Sequence, residues 1–321
     1  MEPILRGING GVLLPTNRSF NFNGESNLDL EIAMAVVAPM KVTLYQVGDS
    51  VQGASFNNFL DAVDGQYCRF NGGDDKDQDA VYPSPPDGYI GPANCGGFEA
   101  TKVLSTSYGY NEADLTPAYT KRQCSEYLKL ALQGVTVLYS SGDFGVAGNM
   151  GRCIDPATGN FTRTNATNGV FNPSFPSGCP WVTSVGATEV ARGVNIKDQL
   201  AQNKQPEKAC ETVIRSGGGF SNVFELPEYQ QTAVKKWFSE HPPPYGADKF
   251  NNTQRTRGFP DISTNGANYV VTVNGNFTLI YGTSASAPAL GGMIALINEQ
   301  RINANKATVG FINPVLYEHP E

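Results

Sequence analysis

The stretch Tyr281-Gly282-Thr283-Ser284-Ala285-Ser286-Ala287-Pro288 runs directly into the apolar segment 289–297. A hydroxyl between a glycine and small side chains, at the start of a helical pattern, lets backbone approach a substrate closely and places developing negative charge at a helix N-terminus. Ser284 is therefore the candidate nucleophile. Pro288 has no N–H to give the Ser284 carbonyl, an omission a helix accepts near its beginning, so the helix is expected to start beside this serine. Taken alone, the octapeptide also reads as an ordinary N-terminus packing small side chains.

Working outward, segments 270–273 and 277–281 flank Asn274-Gly275 and read as a hairpin that delivers the chain to Ser284. Strand-like 102–108, helical 117–132 and strand-like 135–140 form a β-α-β unit with parallel strands. The second of these strands empties into Ser140-Ser141-Gly142-Asp143-Phe144-Gly145, the end of a strand at which open α/β sheets keep their sites. A strand resumes at 181–188. Gly217-Gly218-Gly219 calls for close backbone approach rather than a phosphate cradle, because no Gly-Lys-Ser/Thr follows. Segment 228–239 reads as a helix.

Nearer the beginning, residues 1–24 read as a Gly- and Asn-rich loop, 25–38 as a helix ending before Pro39, 41–47 as a strand and 56–63 as a helix. A long Gly, Pro and Asp insertion spans 65–97. Its cluster Asp74-Asp75-Lys76-Asp77-Gln78-Asp79 lacks the glycine and the glutamate of a calcium loop and is taken as solvated.

With 321 residues and 40% hydrophobic content, the chain can bury one large core, so a single domain over 1–321 is expected. The net charge of −7, with Lys and Arg scattered, argues against nucleic acid and anionic membranes as partners. No apolar run is long enough to span a bilayer, and the first six residues do not resemble a secretion signal. The six cysteines lack C-x-x-C pairs and read as disulfides. Cys153 and Cys179 bracket a polar loop and are one expected pair, although spacing leaves connectivity open. Five acceptor sequons, at Asn17, Asn160, Asn165, Asn251 and Asn276, point with the cysteines to a secreted or a lysosomal or vacuolar glycoprotein. Export without a leader implies a fragment, a mature form or an incomplete gene model, and a monomer is expected.

A serine nucleophile needs a partner to take its proton, usually histidine. This chain has two. His241 precedes three prolines, and His319 lies at the end of the chain, so neither fits a helix-borne His-Gly-Thr nor the Ser, Asp, His order of an α/β-hydrolase. Carboxylates can substitute at low pH. Glu25 and Asp29 stand four apart on a predicted helix and project from one face. Such a pair is ordinarily a solvated surface feature, but here the helix becomes almost wholly apolar from Ile32 to Ala38.

On these residues the chain resembles the sedolisin family of serine-carboxyl peptidases, which includes tripeptidyl-peptidases. The shared marks are the Glu-x-x-x-Asp helix (Glu25 to Asp29), the Ser-Gly-Asp loop (Ser141 to Asp143) and Gly-Thr-Ser-Ala-x-x-Pro (Gly282 to Pro288), all in family order. Phe175-Pro176-Ser177-Gly178-Cys179-Pro180 and Gly218-Gly219-Phe220-Ser221 add to the likeness, which spans 24–317. The resemblance implies an α/β fold with a mostly parallel, subtilisin-like sheet flanked by helices. It implies Ser284 as nucleophile, Glu25 as general base and then acid, Asp29 as the residue orienting Glu25, and Asp143 as oxyanion donor. Ser107, Tyr108, Gly109, Gly218 and Gly219 become candidate walls of a cleft for polypeptide substrates. An ordinary glutamate titrates near ~4.3, so an acidic optimum follows for either a tripeptidyl-peptidase or an endopeptidase.

The resemblance also implies an early strand before the Glu25 helix and a calcium site beyond the Asn313-Pro314-Val315-Leu316-Tyr317 motif. Neither has a counterpart in this reading. Calcium is an expected cofactor whose family ligands fall beyond Glu321, the last residue, and the domain is expected to be incomplete at both ends. Two alternatives follow, a non-catalytic glycoprotein fragment of such a peptidase and a subtilisin-like serine protease with a histidine base.

Overall fold

The computed structural model describes residues 2–14, 18–70, 73–163 and 169–319. The chain begins with a β-α-β unit. Strand β1 (Ile4–Ile8) runs parallel to strand β2 (Thr43–Val47), Ile4 opposite Thr43 and Ile8 opposite Val47, and helix α1 (Phe20–Val37) connects them. This corrects the expectation of a loop over 1–24: a strand does precede the Glu25 helix, and the helix begins before Glu25. Strand β1 gives little sequence signal because it is exposed over four of its five residues and contains Gly7. That glycine has a steric reason, since a Cβ there would lie 2.1 Å from the Gly11 carbonyl oxygen.

Helix α2 (Phe56–Val63), opened by a Ser55–Asn58 capping box, leads into the insertion. The second β-α-β unit follows the predicted pattern: strand β3 (Val103–Thr106), helix α3 (Pro117–Leu132) and strand β4 (Thr136–Ser140), with β3 and β4 parallel. Thr116 caps α3 and Pro117 occupies its first turn. Strand β5 (Thr183–Val190) pairs in parallel with β4. Farther along, its edge continues antiparallel with strand β6 (Glu207–Ala209). Strand β7 (Gly219–Glu225) pairs with strand β8 (Thr256–Phe259), with helix α4 (Gln231–Glu240) between them. Strand β9 (Ile262–Asn265) runs parallel to β5. Strands β10 (Tyr269–Val273) and β11 (Asn276–Ile280) form the expected hairpin, and helix α5 (Thr283–Asn303) follows.

Every residue of β4 is buried, as a parallel strand covered on both faces must be. Its side chains alternate: Leu138 joins Val185, Ala287, Leu290 and Ile294 under α5, while Val137 and Tyr139 join Tyr127 and Leu130 under α3. The hydroxyls of Tyr127 and Tyr139 share a hydrogen bond of 2.7 Å. The first ten residues of α5 are all buried, which its run of small side chains permits. At Gly292 a Cβ would stand 2.7 Å from Val36 Cγ1, so this glycine sets how closely α1 and α5 approach.

The disulfides also correct the sequence reading. Cys124 of α3 pairs with Cys179, and Cys68 with Cys95, while Cys153 and Cys210 are buried thiols. The expected Cys153–Cys179 pair is therefore not formed; Cys179 instead ties α3 to the turn before β5. The acidic insertion is not simply solvated either. Asp79 is buried, and its carboxylate accepts from Ser55 Oγ and Tyr119 Oη, each at 2.6 Å. A buried ion pair, Arg257 with Asp261 at 2.5 Å, braces the turn from β8 to β9. Of the sequons, Asn160 and Asn276 are exposed, and the Asn251 side-chain nitrogen donates to the Ser221 carbonyl at 3.3 Å. Asn17 and Asn165 lie outside the described residues, as does Glu321, the position beyond which calcium ligands are expected.

Candidate active site

Three elements meet at the carboxyl ends of β3 and β4. Ser107 follows β3 directly, Asp143 lies in the loop after β4, and Ser284 occupies the first turn of α5. Helix α1 lies against α5 and brings Glu25 and Asp29 to the same place. The chain therefore gathers Ser284, Glu25, Asp29 and Asp143, the four catalytic candidates of the sequence, into one cluster.

Ser284 is almost fully buried, and its hydroxyl donates to the Ser107 carbonyl at 3.3 Å, with the Glu25 carboxylate near enough for the serine to favour its ionised form. Glu25 Oε1 is buried without a hydrogen-bond partner among the described residues. One turn along α1, Asp29 Oδ1 accepts from Ser107 Oγ at 2.6 Å. Asp143 is held by Thr283, whose backbone N–H and hydroxyl donate to Oδ1 at 2.8 and 3.0 Å. The Thr283 hydroxyl oxygen also accepts from the Gly142 N–H at 3.1 Å, which locks the Ser-Gly-Asp loop to the first turn of α5. Gly282, with φ of +151°, leaves room for Asp143 Oδ2: a Cβ there would lie 3.3 Å from that oxygen. Oδ1 is thus anchored, and Oδ2 lies beside the backbone that carries Ser284.

All three carboxyls are pushed toward their protonated forms. For Glu25 burial is the main cause, opposed by the Ser284 hydrogen bond and reinforced by the charge of Asp143. Burial holds Asp29 well above the ordinary range against the Ser107 bond, and Glu25 repels it further. Asp143 rises through burial, moderated by the two Thr283 donors. Among the described residues no cation is a main cause of these shifts, and burial without a counter-charge favours the neutral acid.

The candidate cleft residues separate. Ser107 is buried inside the cluster; Tyr108 is 59% exposed, and its phenol is raised to about 12 by burial of its hydroxyl and by the Glu25 and Asp29 charges. Gly109 turns away, its carbonyl accepting from Asn149 at 2.5 Å. Gly218 donates its N–H to the Gly145 carbonyl and so braces the Asp143 loop, with Gly217 bonded to Gly142 beside it. Gly219 opens β7 and pairs with Phe259. Sequence reasoning misses what Ser107 and Thr283 do inside the site; the one available signal for Ser107 is the proline four positions after Ser284, which leaves a carbonyl in need of a donor. His241 and His319 are exposed at the ends of their helices, whereas Ser284 is buried. Among the described residues no group of three or more His, Cys, Asp or Glu side chains is arranged to hold a metal ion.

A family model described as the subtilase family matches residues 98–311. The chain belongs to the subtilase family. Within it, the resemblance to sedolisins stands. Tripeptidyl-peptidase SED1 of Arthroderma otae is 41% identical over 100% of this chain and 49% of that protein. Aorsin of Aspergillus oryzae is 42% identical over 92% of this chain and 47% of its own length. Tripeptidyl-peptidase sed1 of Aspergillus fumigatus is 40% identical over 100% of this chain and 50% of that protein. The chain spans about half the length of the curated relatives it matches. Its fold is that of a Pseudomonas sedolisin, a serine-carboxyl proteinase, with a TM-score of 0.60 at 17% identity over 100% of this chain and 73% of that one. The subtilase sheet, mostly parallel and flanked by helices, is the architecture expected from the motifs.

Proposed function

We propose that this subtilase chain carries the catalytic centre of a serine-carboxyl peptidase that hydrolyses peptide bonds in acid. The observation that supports it is the meeting of Ser284 with Glu25, beside Asp29 and Asp143, in a buried cluster to which no cation among the described residues contributes. In this reading the Glu25 carboxylate takes the Ser284 proton as Oγ attacks the peptide carbonyl. Asp143, neutral because it is buried, donates from Oδ2 to the oxyanion, with Oδ1 fixed by Thr283. Protonated Glu25 then returns its proton to the leaving amine, and water releases the acyl group by the reverse sequence. Asp29 holds the second carboxyl of the pair and keeps Glu25 oriented.

Polypeptides are the proposed substrates, and export with glycosylation at Asn160 and Asn276 the proposed route. The names of the relatives favour tripeptidyl-peptidase action over internal cleavage, and products from one free and one N-acetylated peptide, weighed by mass spectrometry, separate the two. A peptide aldehyde at acidic pH should label Ser284, and Ser284→Ala should abolish the labelling. A folded, unlabelled wild-type protein would instead make the chain a non-catalytic portion of such a peptidase. Activity that survives in Glu25→Gln but vanishes on replacing both histidines would return the base to histidine.

A further inference from the structure

Pro288 cannot donate to the carbonyl four residues before it, so the Ser284 C=O has no helical partner. The Ser107 hydroxyl stands in for it. Ser107 Oγ lies 3.2 Å from that carbonyl oxygen and 2.6 Å from Asp29 Oδ1, yet a hydroxyl has one proton to give. Which acceptor receives it depends on Asp29. An ionised Asp29 draws the proton and leaves the buried Ser284 carbonyl unpaired. A protonated Asp29 donates to Ser107 Oγ instead, and Ser107 turns its own proton to the carbonyl, so that every group is satisfied.

We propose that Ser107 is a positioning residue, a hydroxyl switch that reads the protonation state of Asp29 and passes it to the backbone of the nucleophile. The proposal rests on the serine-carboxyl reading above and adds to it a part that neither Glu25 nor Asp143 supplies. The groups facing Asp29 are few: Glu25 on its own helix, Tyr108 next to Ser107, and from α5 the Ser284 carbonyl; Asp143 faces Glu25 from the loop after β4. The proton exchanged at Ser107 is thus coupled most directly to the proton shared by the acid pair. In the working form Glu25 is the carboxylate and Asp29 the acid, and only in that form does Ser107 pair the Ser284 carbonyl.

The switch makes two substitutions act in opposite directions. In Ser107→Ala the Ser284 carbonyl is unpaired whatever the state of Asp29. The charge-assisted bond lost from the ionised form outweighs the neutral bonds lost from the protonated one, so the midpoint of Asp29 rises, by up to about 1 pH unit. Pro288→Ala restores an N–H to the Ser284 carbonyl and frees the Ser107 proton for Asp29, so the midpoint falls. Ser107→Thr keeps the hydroxyl and should titrate like the wild type. The readout is the carboxyl carbon resonance of Asp29 in protein labelled with 13C-carboxyl aspartate, assigned with Asp29→Asn, and it does not require turnover. In the active protein the alkaline limb of kcat/KM should move with the Asp29 midpoint in the same two directions. An unmoved midpoint in Ser107→Ala, or a shift of the same sign in both variants, overturns the switch. Should Ser107→Ala fail to fold, Ser107→Cys, a weaker donor, must give a smaller upward shift, and Pro288→Ala still tests the sign. Loss of the switch with Glu25→Gln inactive leaves the serine-carboxyl reading intact, whereas a fully active Glu25→Gln sinks that reading whatever Asp29 does.

Discussion

At the scale of single residues the site depends on small spaces. Gly282 combines a positive φ with a Cβ position 3.3 Å from Asp143 Oδ2, so Gly282→Ala both strains the backbone and crowds the proposed oxyanion donor. We expect kcat to fall on the order of 100-fold, the scale of losing one such donor, with KM little changed. Steady-state kinetics beside a melting curve check this, and a wild-type kcat in the folded variant would remove Asp143 from that role. Glu25, Asp29, Asp143 and Ser284 are all legible in the sequence, because each sits in a motif whose neighbours constrain it. Ser107 is legible only as a cleft residue, since its partners come from segments 78 and 177 positions away. Nothing local announces a contact of that range.

Elements carry their own signals to different degrees. The β3-α3-β4 unit and the β10-β11 hairpin match their apolar periodicity and turn residues, whereas β1, short and exposed, offers no contrast for a pattern to reveal. Cysteine pairing is the plainest failure, because a sequence supplies spacings while pairing depends on which elements pack together. The Cys124–Cys179 bridge closes 55 residues and joins α3 to the turn that starts β5; Cys68–Cys95 closes 27 within the insertion. The longer loop and the more buried site make the first bridge the more stabilising. Replacing Cys124 and Cys179 together by alanine should cost about 2–4 kcal/mol. Denaturant melts of that variant and of a Cys68, Cys95 double variant test the ranking, and an equal or greater loss in the second would reverse it.

Carboxyls raised by burial occur beyond the site as well. Besides the site, Asp61 lies among Asp74, Asp79 and Glu126 with Arg122 as the opposing cation, and burial first, then Asp74, push its carboxyl up to about 7. A carboxyl whose folded pKa exceeds its unfolded value of ~3.9 contributes stability that is complete below that value and is lost as pH rises through the folded one. Glu25, Asp29 and Asp143 act in the same sense. Four carboxyls among the described residues, Asp49, Asp64, Asp155 and Glu189, act in the opposite sense, but only below the ordinary carboxylate range. Asp49 is lowered by hydrogen bonds, the Gln52 amide first. At Asp64 burial pulls upward, yet Lys129 and the Gln66 and Tyr67 amides together outweigh it. From pH ~4 to ~7 the raised groups therefore decide the slope. Calorimetry should show the melting temperature falling across that window, and Asp61→Asn should flatten part of the fall. A melting temperature that climbs toward neutrality would contradict the account.

Strand β1 and helix α1 come early in these residues and helix α5 comes late, yet their packing creates the cluster. A ribosome delivers Glu25 long before Ser284, and domains fold as their sequence emerges. The proposed base consequently waits for its hydroxyl until most of these residues have been made, so the proposed centre cannot assemble on a half-built chain.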